Sequence, residues 1–354
     1  MVNESIMWLR YMLNRDLPQP VISDWQAVFN FAQKQALLGI CFPGDCRVQI
    51  EKKILYQWMS AVQQLRAQNL KLNKRATELS VFLKEAGFRC CILKGQGNAT
   101  MYPDAGLRCP GDIDVWVDAD EEMLYGFVER RFPNAKKSLK HIKFPIFSDA
   151  EVDIHYTPLK LYYPRHNRRL QQWLQEQKEE QLTHLVKLPE ADAEVSIPMA
   201  KFNAVYQLGH ILIHILDQGI GLRQLVDYFY VLKQLEALSD DEKQVIVTTW
   251  KEFGMLELAS AVMWVEHDML GLSQEYLLVS PNERIGRLLA EDILEGGNFG
   301  HYSERQGYRK YGRIVKSFSD IWRYLRLLSC MPGEAISRCF GKVGTAVRLV
   351  KKSF

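Results

Sequence analysis

The sequence predicts an α+β protein, a small mixed sheet with flanking helices that follows an N-terminal helical segment and precedes a C-terminal helical domain. Two observations predict it. Four short apolar or alternating stretches of strand length lie between residues 88 and 156. On both sides of them, apolar residues recur at three- and four-residue spacing, the period of an amphipathic helix. The segments that follow are 1–87, N-terminal helical; 88–198, the core with the sheet; 199–300, a helical domain expected to line a cleft; and 301–354, a basic amphipathic helical tail.

The chain has 354 residues, of which 47% are hydrophobic, enough for two domains or for one large domain with helical additions. Net charge is only +3, but it is unevenly spread. Residues 301–354 hold 12 Lys/Arg against 3 Asp/Glu, or +9, which leaves −6 for the remainder. Such a tail suits an anionic surface, nucleic acid or membrane headgroups, although a solvated helix pair covering a neighbouring helical core is the leading reading. Seven cysteines (41, 46, 90, 91, 109, 330 and 339) form an odd set without a CxxC pair. That spacing argues against a disulfide framework or a zinc knuckle and for a reducing, cytoplasmic setting. No run reaches the roughly 18 apolar residues that a membrane span needs, so the protein is expected to be soluble.

In chain order, helices are expected over Trp25–Leu37 and Ile54–Ala86, separated by the loop around Pro43-Gly44, with Gly87 as the C-terminal stop of the second. Phe88–Leu93 reads as a strand. Asp120-Glu121-Glu122 places acids on the first turn of a helix running to about Arg131. Ile142–Phe147 and Glu151–Tyr156 read as the two strands of a hairpin. Leu161–Leu188 reads as an exposed segment, with Arg165, Arg168 and Arg169 clustered, leading into a helix. From Met199 to Leu294 about five helices are expected, broken at 219–221, 239–240, 254, 271–273 and 280–281. Gly296 to Gly300 marks a flexible joint, and beyond it Trp322, Tyr324, Leu325, Leu327 and Leu328 interleave with Arg323 and Arg326.

The chemistry concentrates in CILKGQGNATMYPDAGLRCPGDIDVWVD, residues 91–118. Side chains alternate along a strand, so Asp112 and Asp114 project to one side while Ile113, Val115 and Val117 project to the other. Two crowded carboxylates repel unless a cation neutralises them, and hard oxygen ligands suit magnesium or manganese. In EVDIHY, Asp153 is a third acid on a strand, about 40 residues downstream, sharing a face with His155. A two-metal phosphoryl-transfer site requires such a set, with shared carboxylates holding cations about 3.5–4 Å apart. Asp112 and Asp114 would bridge the ions, and Asp153 would ligate the acceptor-side ion and take the acceptor's proton. A Gly95–Gly97 turn lets backbone N–H groups approach a triphosphate, with Lys94 or Arg108 offsetting its charge.

These pieces resemble the nucleotidyltransferase superfamily that shares its catalytic fold with DNA polymerase β. Within it the chain is most similar to a family of largely uncharacterised bacterial nucleotidyltransferases. The resemblance is carried by Leu93-Lys94-Gly95, Tyr102-Pro103, Arg108, Asp112-Ile113-Asp114, Asp153 in VDIHY, an HxxxH at His210 and His214, and LRQLVDY, over roughly residues 88–235. It implies a nucleotidyltransferase sheet, transfer of a nucleoside monophosphate from an NTP such as ATP to a hydroxyl-bearing small-molecule or macromolecular acceptor, release of pyrophosphate, and two Mg²⁺ or Mn²⁺ ions. It also implies that the helix bearing Arg223 and Asp227 borders the nucleotide cleft, with Arg223 toward phosphate. Two departures stand out: Gly95-Gln96 replaces the Gly-Ser usual in the superfamily, and the interval from Gly95 to Asp112 is long.

Other readings of the same residues stay open. His210, His214 and Asp217 have metal-ligand spacing, but without a glutamate in the motif or an evident third ligand packed histidines at a helix interface are the leading reading, with an active-site role for one of them as the sharper alternative. Arg223 and Asp227 can form an i,i+4 ion pair. The alternative is a catalytically silent relative that binds nucleotide or a partner. A sugar transferase holding a nucleotide-sugar through an acid-x-acid motif is disfavoured, because here the apolar strand follows the motif.

Overall fold

The computed structural model describes residues 3–44, 46–138, 140–298 and 323–351, with side chains through residue 341 in the last stretch. Phe299 and Gly300 of the expected joint, and the tail up to Trp322, lie outside the described residues.

Chain contacts divide the protein into two compact units. One gathers the described residues within Met1–Leu37, Leu161–Leu170 and Gln207–Phe354, the other those within Leu38–Lys160 and Gln171–Tyr206. The helical opening of the chain is therefore shared between them. Helices α1 (Glu4–Leu13) and α2 (Trp25–Lys34) belong to the first unit, where Trp8 meets Trp25 edge-on at 4.8 Å. Each starts with a side-chain cap: Asn3 accepts from the Ile6 N–H and Asp24 from the Ala27 N–H.

The second unit is built on α3 (Lys52–Glu85), 34 residues without Gly or Pro, ended by Gly87 at φ +87°. Its C-terminal half buries Leu72, Ala76, Leu79 and Leu83, whereas Leu70 faces solvent. Strand β1 (Cys90–Leu93) follows, then the single-turn helix α4 (Gly95–Ala99), β2 (Ile113–Val117), α5 (Glu121–Glu129), β3 (His141–Lys143) and β4 (Val152–His155). The α5 cap is Asp120, accepting from the Met123 N–H at 2.8 Å. The four strands form a mixed sheet in the order β1-β2-β4-β3, in which β2 runs parallel to β4 and both outer strands are antiparallel to their neighbours. The α+β expectation holds.

Strand alternation gives this sheet two unlike faces. Ile113, Val115, Val117, Ile142, Val152 and Ile154 join the α3 stripe and Leu124, Phe127 and Val128 of α5 in one apolar core. Asp114, Trp116, Asp153, His155, His141 and Lys143 take the alternate positions. Trp116 there stacks on Phe202 at 6.0 Å, and Phe202 on Trp173 at 4.9 Å. Helix α6 (Pro164–Thr183) occupies most of the segment read as exposed, and a small antiparallel pair, β5 (Leu185–Lys187) and β6 (Glu194–Ser196), follows it without having been anticipated.

In the first unit, α7 (Ala200–Asp217), which begins in the second unit, leads to α8 (Leu222–Gln234), α9 (Asp240–Glu252), α10 (Leu256–Trp264) and α11 (Glu283–Gly296). The breaks fall where the sequence placed them, with Gly219, Gly254 and Gly271 at positive φ and a Ser239/Glu242 capping box opening α9. A π-helical turn, Val265–Met269, extends α10. The described part of the tail packs within this unit: Tyr324, Leu327, Cys330, Met331 and Ala335 are buried. Three of its arginines pair internally, Arg323 with Asp292 at 2.7 Å, Arg326 with Glu291 at 3.7 Å and Arg338 with Asp217 at 2.7 Å. These charges serve the unit's own packing. Among the described residues no helix is long and apolar enough to cross a membrane.

Candidate active site

Parallel pairing of β2 with β4 sets Asp114 opposite Asp153. Asp112 stands just before β2, and the Ile113 N–H bonds the Glu151 carbonyl at 2.9 Å, tying the entry of one strand to the entry of the other. Asp112, Asp114 and Asp153 thereby offer carboxylate oxygens that all lie within 4.8 Å of one another. Among the described residues this is the group of acids, histidines and cysteines whose geometry suits a metal ion. Asp114 and Asp153 are buried and Asp112 is exposed.

Lysine and histidine side chains flank the two buried acids. Lys94 Nζ lies 2.8 Å from one oxygen of Asp114, and His155 Nε2 lies 2.7 Å from the other. Burial alone would raise Asp114, but these two partners outweigh it and hold the carboxyl well below the usual range. Asp112 moves the other way, pushed up first by the Asp114 charge and then by the crowding of its carboxylate, although the residue as a whole is exposed. Asp153 receives Lys143 Nζ at 2.9 Å on one oxygen and His141 Nε2 at 3.4 Å on the other. Burial works against the Lys143 charge, and the contact with Asp153 more than restores it, so its pKa is raised. His141 is lowered to about 4 by burial, with the His155 ring, centred 5.1 Å away, adding to the effect against the pull of Asp153.

Lys94 also carries the backbone irregularity of the site. It sits at φ 48°, ψ −142°, followed by Gly95 at φ 40° and the turn of α4. A non-glycine residue in this region costs of order 1–3 kcal/mol, and such strain clusters where a side chain must be aimed. Here the strained turn aims Lys94 at Asp114. Gln96 turns inward instead: it is 3% exposed and donates to Asn73 of α3 at 2.6 Å. The side chain standing where the superfamily has serine is thus a tie to α3. Arg108 is buried, its carbonyl accepting from Asn69 at 2.8 Å and its guanidinium donating to the Cys109 carbonyl at 3.3 Å.

His210, His214, Arg223 and Asp227 belong to the first unit. His210 and His214 hydrogen-bond each other through their Nε2 atoms at 2.9 Å, and Asp217 accepts from the Tyr162 hydroxyl and Arg338. Packed histidines describe that pair; the HxxxH-Asp spacing does not assemble a metal site. Arg223 and Asp227 are both buried on α8.

Two residues beside Asp153 and His155, and a third that feels the charge of the acids, had escaped sequence reasoning. Lys143 and His141 are the β3 positions opposite Asp153 and His155, which the hairpin register reveals once it is known. Tyr206, buried at the end of the second unit's share of α7, has its hydroxyl pKa pushed well up by burial and by the charges of Asp114 and Asp112. No sequence signal links it to them.

A solved structure, an antigenic nucleotidyltransferase-like protein from Paracoccidioides brasiliensis, aligns with 54% of this chain and 92% of its own at 13% identity and a TM-score of 0.32. No curated protein matches. The profile of the family described as "uncharacterised nucleotidyltransferase" matches residues 22–271, which include β1, β2, β4 and all three acids. By that match the chain belongs to the family of uncharacterised nucleotidyltransferases.

Proposed function

We propose that the protein is a metal-dependent nucleotidyltransferase that moves a nucleoside monophosphate from an NTP to a hydroxyl-bearing acceptor and releases pyrophosphate. The observation that carries this reading is the convergence of Asp112, Asp114 and Asp153 from two parallel strands, with ligand oxygens within 4.8 Å. The donor set fits a hard divalent ion: all oxygen, from three carboxylates, two of them already facing cationic partners in Lys94 and Lys143. Mg²⁺ or Mn²⁺ held by these three residues would supply charge neutralisation for the triphosphate and ease ionisation of the attacking hydroxyl.

In this reading, Lys94 exchanges Asp114 for a phosphate oxygen when the nucleotide enters, and the Gly95 turn lets the backbone approach without a Cβ in the way. Asp153 takes the acceptor's proton. The bond from the acceptor oxygen to the α-phosphorus forms, the bond from that phosphorus to the bridging oxygen breaks, and pyrophosphate leaves with the electron pair. His155 orients Asp114, since its ring holds one carboxylate oxygen and leaves the other to Lys94.

The test is release of pyrophosphate from each NTP with Mg²⁺, using a cell-extract fraction as the source of acceptor. Turnover lost in Asp112→Ala and Asp153→Ala supports the transferase. Nucleotide binding without turnover in wild-type protein supports the silent relative instead, a reading favoured by the inward turn of Gln96. Consumption of a nucleotide-sugar would sink both.

A further inference from the structure

We propose that Lys143 is the residue that selects the acceptor: it occupies the cation position on Asp153 while that position is empty of metal, and then receives an anionic group of the acceptor. This inference rests on the metal-site reading above.

Lys143 lies on β3, the outer strand of the sheet beyond Asp153, whereas Lys94 lies on the opposite flank beyond Asp114. Its side chain is 42% exposed and spans Asp153 at 2.9 Å and the exposed Glu151 at 3.2 Å, with Asp112 also acting on its charge. A divalent ion on Asp153 would stand beside this ammonium, and like charges at that separation repel strongly. Asp153 is fixed in β4 and opposite Asp114, so the flexible lysine is the group that yields. It stays on the side from which the acceptor must come, because the flank of Asp114 belongs to Lys94 and the nucleotide turn.

The local sequence adds weight. Residues 130–143 hold six Lys/Arg and no Asp/Glu. Two of these are committed elsewhere, Arg131 over the Phe127 ring at 4.0 Å and Lys137 to Glu121 at 2.7 Å. Lys136, whose carbonyl accepts from the Lys143 N–H at 2.8 Å, is exposed, and Lys140 acts electrostatically on His141. A positive strand edge beside the proton-accepting acid favours an acceptor that carries phosphate or carboxylate near its hydroxyl.

Two probes test the inference, Mn²⁺ alone and inorganic phosphate. Mn²⁺ affinity is read by electron paramagnetic resonance for wild type, Lys143→Met and Lys143→Arg; then phosphate is titrated calorimetrically into protein loaded with Mn²⁺ and a non-hydrolysable ATP analogue. Lys143→Met is expected to bind Mn²⁺ about tenfold more tightly, because a competing charge is gone, and to lose phosphate binding about tenfold, while Lys143→Arg keeps it. If Lys143→Met folds poorly without metal, its thermal stability should recover with Mn²⁺ more than that of wild type does. Equal Mn²⁺ affinity in wild type and Lys143→Met, or phosphate that binds both alike or does not bind wild type, overturns the role of Lys143. Failure of wild type to bind Mn²⁺ at all instead overturns the metal site beneath it.

Discussion

Asp114 in the sheet unit and Glu266 in the helical unit are both buried carboxylic acids, 7% and 0% exposed, and they are driven in opposite directions. Glu266 lies on the π-helical turn after α10, and neither of its oxygens has a hydrogen-bond partner. Burial alone acts on it and raises its pKa well above normal, which favours the neutral acid. Asp114 feels the same penalty, but Lys94 and His155 reverse it and keep the carboxylate charged. The difference teaches what to look for in a buried acid. Loss of water only silences it; a lysine and a hydrogen-bonding ring placed around it by separate elements, here the β1–α4 turn and β4, keep it ionised.

The largest effect that separates the two acids should be on turnover. Asp114→Asn is expected to lower pyrophosphate release by at least about 10³-fold, since it removes a shared ligand charge from the reacting centre. Glu266→Gln should leave the rate within about twofold, because a neutral amide replaces a neutral acid away from any charged cluster. Steady-state kinetics on both variants checks this. Comparable losses would mean that the charge state of a buried acid says nothing about its role here.

Next in size is the cost of removing the partner. Lys94→Met leaves Asp114 buried with His155 alone, and losing one member of a buried pair costs about 3 kcal/mol. Urea unfolding of metal-free protein should show that loss, and Mn²⁺ should recover part of it by supplying the missing charge. An unchanged midpoint would show that Lys94 is not what keeps Asp114 ionised.

The same contrast explains what could be read in the sequence. The three acids were legible because strand alternation and the acid-x-acid spacing are local, as were the glycine stops and the Ser239 cap. Lys143 and His141 were not, although they sit in a strand that was anticipated. Their partners depend on the register across the loop between β3 and β4, and a shift by one residue would have turned both to the apolar face. The direction of Gln96 was not legible for a related reason: a glycine-rich turn specifies backbone freedom, while the side chain of its neighbour is directed by Asn73 on α3, 23 residues earlier. Likewise the helical period of residues 1–87 showed which faces are buried without showing that α1 and α2 pack in a different unit from α3.

The smallest effect is the most direct measure of Glu266 itself. An unfolded glutamate releases its proton near 4.5, while the folded state holds on to it well above that. Above pH 4.5 the folded protein therefore binds one proton more than the unfolded chain does at this site, and stability falls as pH rises. The contribution is complete below the unfolded pKa and disappears as pH climbs through the raised folded one. Glu266→Gln has no proton to lose, so its stability relative to wild type should improve by about 1.4 kcal/mol for each pH unit gained over that window. Parallel urea melts of the two proteins from pH 5 upward would show the widening gap. A gap that stays constant would mean that Glu266 ionises as readily folded as unfolded, with a charge partner, and the contrast with Asp114 would vanish. Asp114 predicts the mirror image, because its depressed pKa makes its contribution present above the unfolded carboxylate range and lost only as pH falls toward its folded value. One protein thus carries two buried acids whose linkage slopes have opposite signs, and the pH axis separates them without reference to activity.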